Sequence, residues 1–467
     1  MGLAIGLVGQ GWFPDVGGVE SHTRELASEL VARGHRLHGL ALDTAEGLAP
    51  YALAARELEG VEVARMAYRY QDHGALADLV SNPRTEAVLV AWARARRLDL
   101  VHVHHPSGWG LSILPALRAL GLPAVMTLHD YWALCPRGQM LRTDGEVCLR
   151  ATPERCAPCL RTTWPHLMPS GAGERRGPRG ETLASDEDAA RAREAFALDC
   201  LRAARRLFTP SQATRRAYAE AGLAQESIEV VENGVEVEAL AREVARLRPL
   251  EPARSELRLG VLGTVLPSKG VLELARAALA ADVPGLVLEI HGGQPSYHGD
   301  TRYVEELRAL CAREPRLRLH GSFTHDQLPA ILARLDGVAA PSRWNEVFGL
   351  TVREARAAGL PVLVSSAGAL SDVVADCQAG MVVPAEDPAA WQAALRRFAD
   401  AGQRAAWAAH ARRPRTTRAM ALQLERAYAE VVRAVRGRLP RLAFVPGSEE
   451  RAPSGVGAFL RRLLGRG

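Results

Sequence analysis

The chain carries 58 lysines and arginines, and Lys269 is its one lysine. It lies in "LGTVLPSKGVLEL", between Ser268 and Gly270. An ammonium is a compact point charge, and at the C-terminal end of a strand it can meet a phosphate. A plain surface lysine is the ordinary alternative, weakened here because the other surface cations are arginines. Further on, "PSRWNEVFGLTVREARAAG" holds Glu346 and Glu354, eight residues apart. With a helix opening near Gly349 or Leu350, Glu346 falls in the preceding loop and Glu354 in the early turns. The N–H groups of Phe348, Gly349 and Leu350 then have no partner inside the helix and can hold an anion. Glu346 can accept hydrogen bonds from sugar hydroxyls and Glu354 from a ribose. The plainer reading is that both glutamates complement the helix dipole.

Gly17 and Gly18 lie between an apolar first segment and an amphipathic one. Glycine there lets a ligand approach the backbone, and a helix N-terminus favours an anion. Gly9-x-Gly11 matches a dinucleotide fingerprint only in part, because position 14 is proline. His129, beside Asp130 at the end of "PAVMTLHD", can hydrogen-bond a substrate or move a proton; a satisfied structural histidine is the alternative. His102, His104 and His105 have no metal spacing and read as strand-end packing. Cys135, Cys148, Cys156 and Cys159 follow the spacing C-x12-C-x7-C-x2-C. Four thiols so close suit a structural tetrahedral zinc, with an iron–sulfur cluster as the alternative. Four thiolates leave no open position for catalysis. Cys200, Cys311 and Cys377 read as small apolar residues.

These residues need elements to position them, and the pattern supplies strands alternating with helices. "LAIGLVG", "HRLHGLALD", "LDLVHVHHP", "PAVMTLHD", "RRLFTPS" and "SIEVVENGV" read as strands with helical stretches between. The signal breaks over 240–256, where charge and proline suit a linker. It resumes at "LRLGVLGTV" and runs to "PVLVSS". The expectation is two doubly wound α/β domains with parallel sheets, whose ligands bind at the C-terminal ends of the strands, in a cleft between the domains.

The 467 residues exceed one ordinary core, which fits two domains of roughly 200 residues. A net charge of +5 without basic stripes argues against nucleic acid. No run of about 18 apolar residues appears, and the N-terminal stretch lacks a signal peptide's basic start, so a cytoplasmic location is expected. The end, "SGVGAFLRRLLGRG", is basic and amphipathic; it reads as a solvated tail or as a weak contact with an anionic membrane face.

Together these motifs resemble the retaining glycosyltransferases of family four, which have the GT-B fold. The resemblance spans roughly residues 1–435 and rests on "FPDVGGVESHTRELASELVARGH", "IEVVENGVE", "GTVLPSKG" and the glutamate pair around Phe348-Gly349. "TLHDYWALCPRGQ" with its cysteines resembles a subset acting on cell-surface polysaccharides. The resemblance implies an acceptor-side domain over 1–245, including a cysteine-rich insertion at 135–160 and an exposed excursion at 171–190. It implies a nucleotide-sugar domain over 256–403, helices at 404–437 packing back on the first domain, and a basic tail at 438–467. It further implies a nucleotide-sugar donor and no catalytic metal. Glu346 and His129 would serve the transferred sugar and Glu354 the ribose. Phe348, Gly349, Leu350, Gly17, Gly18, Thr264 and Lys269 would line the donor. Thr264 stands where the family often has arginine, which leaves Lys269 more of the leaving-group charge. "SAGALSD" departs from the family's usual glycine pair. The alternatives are a sugar-nucleotide epimerase on a similar fold and a non-catalytic binding protein. The acceptor, whether a sugar, a lipid-linked sugar or another group, stays open.

Overall fold

The computed structural model describes residues 2–14, 17–44, 48–168, 175–250, 255–297, 299–375, 378–411 and 414–437. Cys377 and the basic tail from residue 438 lie outside the described residues.

The first ten strands are β1 (Ala4–Val8), β2 (Arg36–Asp43), β3 (Leu53–Leu58), β4 (Val61–Ala67), β5 (Leu100–Val103), β6 (Ala124–Thr127), β7 (Arg175–Arg176), β8 (Thr182–Leu183), β9 (Arg206–Thr209) and β10 (Ile228–Val230). Eight of them form a sheet in the order β10-β9-β6-β5-β1-β2-β4-β3, while β7 and β8 make a separate hairpin. β1 pairs in parallel with both β2 and β5, and every residue of β1, β5 and β6 is buried. Strands covered on both faces are what a parallel sheet requires. The helix Gly18–Ala32 follows β1 and buries His22, Thr23, Leu26, Ala27 and Leu30, a stripe at helical spacing.

The second sheet contains β11 (Leu257–Leu262), β12 (Leu286–His291), β13 (Leu317–Gly321), β14 (Gly337–Ala340), β15 (Val362–Ser365) and β16 (Gly380–Val383). Its order is β13-β12-β11-β14-β15-β16, and every neighbouring pair is parallel. Numbered within the sheet this is 3-2-1-4-5-6, the doubly wound order. The direction of winding reverses between β11 and β14. The loops that leave those two strands therefore diverge and open a crevice.

Grouped by internal packing, the chain forms one unit of residues 1–127, 199–207 and 423–467 and another of 128–198 and 208–422. In the first unit, His102 of β5 donates or accepts at both ring nitrogens: Nδ1 lies 2.6 Å from Tyr428 Oη and Nε2 2.8 Å from Thr127 Oγ1. Glu425 accepts from Arg33 Nε at 2.6 Å and lies 3.0 Å from His35 Nε2. Burial holds the His102 pKa well below its ordinary value, so the ring is neutral at pH 7. The reading of His102 as a packing residue agrees with these contacts.

Two stretches differ from the sequence expectation. The excursion at 171–190 is not all exposed: past residues 171–174, which lie outside the described set, it contains the β7–β8 hairpin and the start of a helix, Asp186–Leu201. Asp186 is buried and accepts from Arg161 Nε at 2.5 Å and from Arg175. Charges that suggest solvent by composition instead close on one another. The linker expected from 240 begins inside a helix, Val237–Leu247, which buries Val237, Leu240 and Val244. Their three- and four-residue spacing is an apolar stripe hidden among charges.

Replacing Tyr428 by Phe removes one partner of a fully buried imidazole. An unsatisfied buried polar group costs about 1–3 kcal/mol. The Tyr428→Phe variant is therefore expected to unfold at lower urea concentration with an unchanged slope. A midpoint equal to wild type would show that His102 finds another partner.

Candidate active site

Lys269 and Glu346 meet in the second unit. Lys269 ends the 3-10 turn Pro267–Lys269, in the loop after β11, and Gly270 then caps the helix Val271–Ala281. Glu346 lies in the loop between β14 and the helix Leu350–Ala357. These are the two loops that diverge at the reversal of the sheet. Lys269 Nζ donates to Glu346 Oε1 at 2.6 Å, and Ser342 Oγ donates to the same oxygen at 2.6 Å. The Lys269 side chain is 31% exposed and that of Glu346 11%, so the pair faces solvent from the cation's side.

Backbone contacts set this distance. Ser268 O accepts from Arg343 N at 2.8 Å and from Trp344 N at 3.3 Å, tying one loop to the other. Gly270 has φ +65°, and a Cβ there would stand 2.1 Å from Pro341 O. Glu346 is held from the other side: its carbonyl accepts from Ala369 N at 2.7 Å, and it bridges to Gly368. A Cβ on Gly368 would lie 2.3 Å from Glu346 O, at φ +63°. So "SAGALSD", which looked like a departure, supplies its glycine where Glu346 needs it.

An aromatic wall stands beside the pair. Lys269 Nζ is 5.3 Å from the centroid of the Trp344 ring, and Tyr131 meets Trp344 edge-on at 6.2 Å. The Tyr131 hydroxyl pKa is pushed up to about 12, mainly by burial, with the nearby Glu346 charge adding to it. Tyr131 therefore stays protonated at neutral pH.

Helix Leu350–Ala357 begins where expected, with Gly349 in the left-handed region as its cap. Arg353 is buried, lies 3.8 Å over the Phe348 ring, and donates to Phe348 O. It fixes the turn that presents the N–H groups of Phe348, Gly349 and Leu350. Glu354 is buried in the next turn, and its Oε1 lies 3.9 Å from His325 Nδ1. It does not share the Lys269 contact. Thr264 is exposed just beyond β11. His129 is half-buried, two residues beyond β6 and two before Tyr131. Gly17 and Gly18 belong to the first unit, where Gly18 opens the first helix and a Cβ on it would meet nothing within 4 Å.

The structure thus joins Lys269 to Glu346 and adds Ser342, Trp344, Tyr131 and Arg353, which the sequence reading passed over. Ser342 and Trp344 lie inside the quoted motif "PSRWNEVFG". A tryptophan two residues before the loop glutamate was the available signal.

The cysteines line one pocket together with Arg137, Met140, Leu141 and Leu160. Burial raises the Cys156 thiol pKa to about 12, and the neighbouring thiols Cys135, Cys148 and Cys159 push it the same way. Among the described residues, no three of these sulfurs lie within 4.8 Å of one another.

Substituting Gly368 by alanine tests how rigidly Glu346 is held. A left-handed backbone costs a non-glycine residue roughly 1–2 kcal/mol, and the clash with a carbonyl adds to it. A stability loss above about 1 kcal/mol in urea unfolding is expected. A loss below about 0.5 kcal/mol, within the range of neutral surface changes, would show that the loop yields.

The Glycosyltransferase Family 4 model matches residues 16–239, and the Glycosyl transferases group 1 model matches residues 256–401. A curated D-inositol 3-phosphate glycosyltransferase from Salinispora tropica is 37% identical over 203 residues, which are 40% of this chain and 42% of that one. The chain spans about two fifths of the length of the curated relatives it matches. Among solved structures, Anabaena Alr3699/HepE in complex with UDP and glucose aligns at TM-score 0.60 and 20% identity, over 91% of this chain and 99% of that one. The sucrose-phosphate synthase of Thermosynechococcus elongatus aligns at TM-score 0.61 and 18% identity, over 92% of this chain and 100% of that one. Such likeness shows the fold, which is GT-B, with two largely parallel α/β sheets. Matched along most of its length by these two glycosyltransferase models, the chain belongs to the family 4 glycosyltransferases.

Proposed function

We propose that the protein transfers a sugar from a nucleotide-diphosphate donor to an acceptor, with retention of anomeric configuration, in the making of a cell-surface polysaccharide or glycoconjugate. The observation that carries this reading is the Lys269–Glu346 pair at the reversal point of the second sheet. That is where a doubly wound sheet binds ligands. A cation and an anion meeting there match a donor that has an anionic and a hydroxyl-rich part.

In this reading the pair is a placeholder. The donor diphosphate replaces Glu346 as the partner of Lys269. Glu346 keeps the Ser342 hydrogen bond and turns its freed lone pairs to the sugar hydroxyls. As the sugar–phosphate bond breaks, negative charge grows on the leaving diphosphate. Lys269 and the N–H groups at Phe348, Gly349 and Leu350 stabilise that charge with groups already oriented. Glu354 holds the ribose, Thr264 lies along the phosphates, and His129 sits by the transferred sugar. The reading needs no catalytic metal. Anabaena Alr3699/HepE is described with UDP-glucose, so UDP-glucose is the first donor to try here.

A thermal-shift panel of UDP-, GDP-, ADP- and dTDP-sugars is expected to raise the melting temperature with one nucleotide class, because a ligand that binds the folded state stabilises it. With that donor, Lys269→Ala is expected to lower kcat by roughly 100- to 1,000-fold, the usual loss for one donor group that stabilises developing charge. Unchanged turnover in that variant would remove Lys269 from the site. Product analysis without acceptor separates transfer from epimerisation, since an epimerase converts its donor alone.

A further inference from the structure

The cysteine segment 135–160 has no part in the donor reading. Its four thiols come from three pieces of backbone. Cys135 opens a tight turn in which Gly138 N donates to Cys135 O at 2.8 Å. Cys148 closes a small hairpin, where Leu141 bridges Val147 and Cys148 N donates to Met140 O at 2.7 Å. Cys156 and Cys159 lie three apart in the helix Pro153–Thr163, on one face. A turn, a hairpin and a helix thus deliver four soft ligands to the walls of one pocket. All four are free thiols.

Cations stand beside them. Arg137 Nη1 is 3.5 Å from Cys159 Sγ and also donates to Leu141 O at 2.9 Å. Arg193 is fully buried and donates to Trp132 O at 2.5 Å and Ala133 O at 2.7 Å, immediately before Cys135. A divalent ion held by four thiolates carries a net charge of −2, which Arg137, within reach of Cys159 Sγ, would face.

The segment also reaches the loops of the second sheet. Arg343 Nη2 donates to Gly145 O, at the hairpin tip, at 3.0 Å. Tyr297 Oη donates to Gln139 Oε1 at 2.9 Å, and the Tyr297 ring lies 5.2 Å from the Arg137 guanidinium. Arg343 is the residue between Ser342 and Trp344, so the hairpin touches the strip of chain that carries the Glu346 contacts.

We propose that Cys135, Cys148, Cys156 and Cys159 bind one structural Zn²⁺ and that the resulting finger positions Arg343 and Tyr297. Binding releases four thiol protons to solvent and forms four Zn–S bonds. Bonds of about 2.3 Å in a tetrahedron set the sulfurs about 3.8 Å apart, so the ion draws them inward from the pocket wall. The positioning half rests on the donor-site reading only for its functional meaning, and metal binding is tested without any activity.

The experiment is metal analysis of the full chain purified without oxygen, beside a thiol titration before and after removal of metal with a chelator. About one equivalent of zinc, with four thiols that react only after chelation, is expected. Substitution with Co²⁺ should give the visible spectrum of a tetrahedral thiolate site. The Cys156→Ser/Cys159→Ser double variant should lose the zinc; if it does not fold, the titration on wild type decides alone. Less than about half an equivalent of zinc with all thiols reactive, or iron with acid-labile sulfide, overturns the assignment. Hydrogen exchange at residues 293–297 and 341–346 should quicken on chelation; unchanged exchange overturns the positioning role.

Discussion

The contact between Lys269 and Glu346 joins two loops of the second unit. Glu346 is its buried side, so removing Lys269 leaves that carboxylate with less compensation, while the ammonium is partly solvated. Here the charges face each other at 2.6 Å between loops that sequence keeps 77 residues apart. Ser268 O takes N–H donors from Arg343 and Trp344, Gly270 lets Pro341 come close, and Gly368 braces the carbonyl of Glu346. The sheet order brings the loops near, the backbone bonds set their distance, and the ion pair uses that distance. A 3-2-1-4-5-6 sheet leaves its gap between the first and fourth strands, and the pair spans that gap.

Much of this was legible from local pattern. The lysine loop after an apolar strand, the helix start at Leu350 and the alternation of elements all follow from residues close in sequence. Two of the elements that were missed had weak local signals. β3, in "LAAREL", is mostly exposed, with charged side chains, and its antiparallel pairing with β4 makes it a strand. The helix Val237–Leu247 hides its apolar stripe among arginines and glutamates.

The site shows the same division. Glu346 and Lys269 were candidates separately, but nothing in the sequence said they touch. Trp344 and Ser342 stood in plain view inside the quoted motif, and their roles depend on where Lys269 arrives. Arg353 reads as one more helix arginine; only burial against Phe348 reveals that it shapes the turn. Local chemistry names the residue types, while tertiary closure decides which of them form a unit.

The solitary lysine makes physical sense in these terms. Elsewhere the chain pairs its carboxylates with forked guanidinium groups: Arg24 holds Glu59 through two nitrogens, Arg246 holds Glu243 so, and Arg302 holds Asp300. A fork gives two parallel hydrogen bonds and a fixed orientation. At Glu346 such a grip would work against the proposed exchange, since an arriving diphosphate would have to break both bonds. It would also claim the carboxylate oxygens that the sugar needs. An ammonium offers one hydrogen bond to one oxygen, shared with Ser342, and can turn to a phosphate on its flexible stem. Its ammonium lies 5.3 Å from the centroid of the Trp344 ring, a cation–π distance. Under the proposed exchange, a single-bonding ammonium suits this position better than a forked guanidinium would.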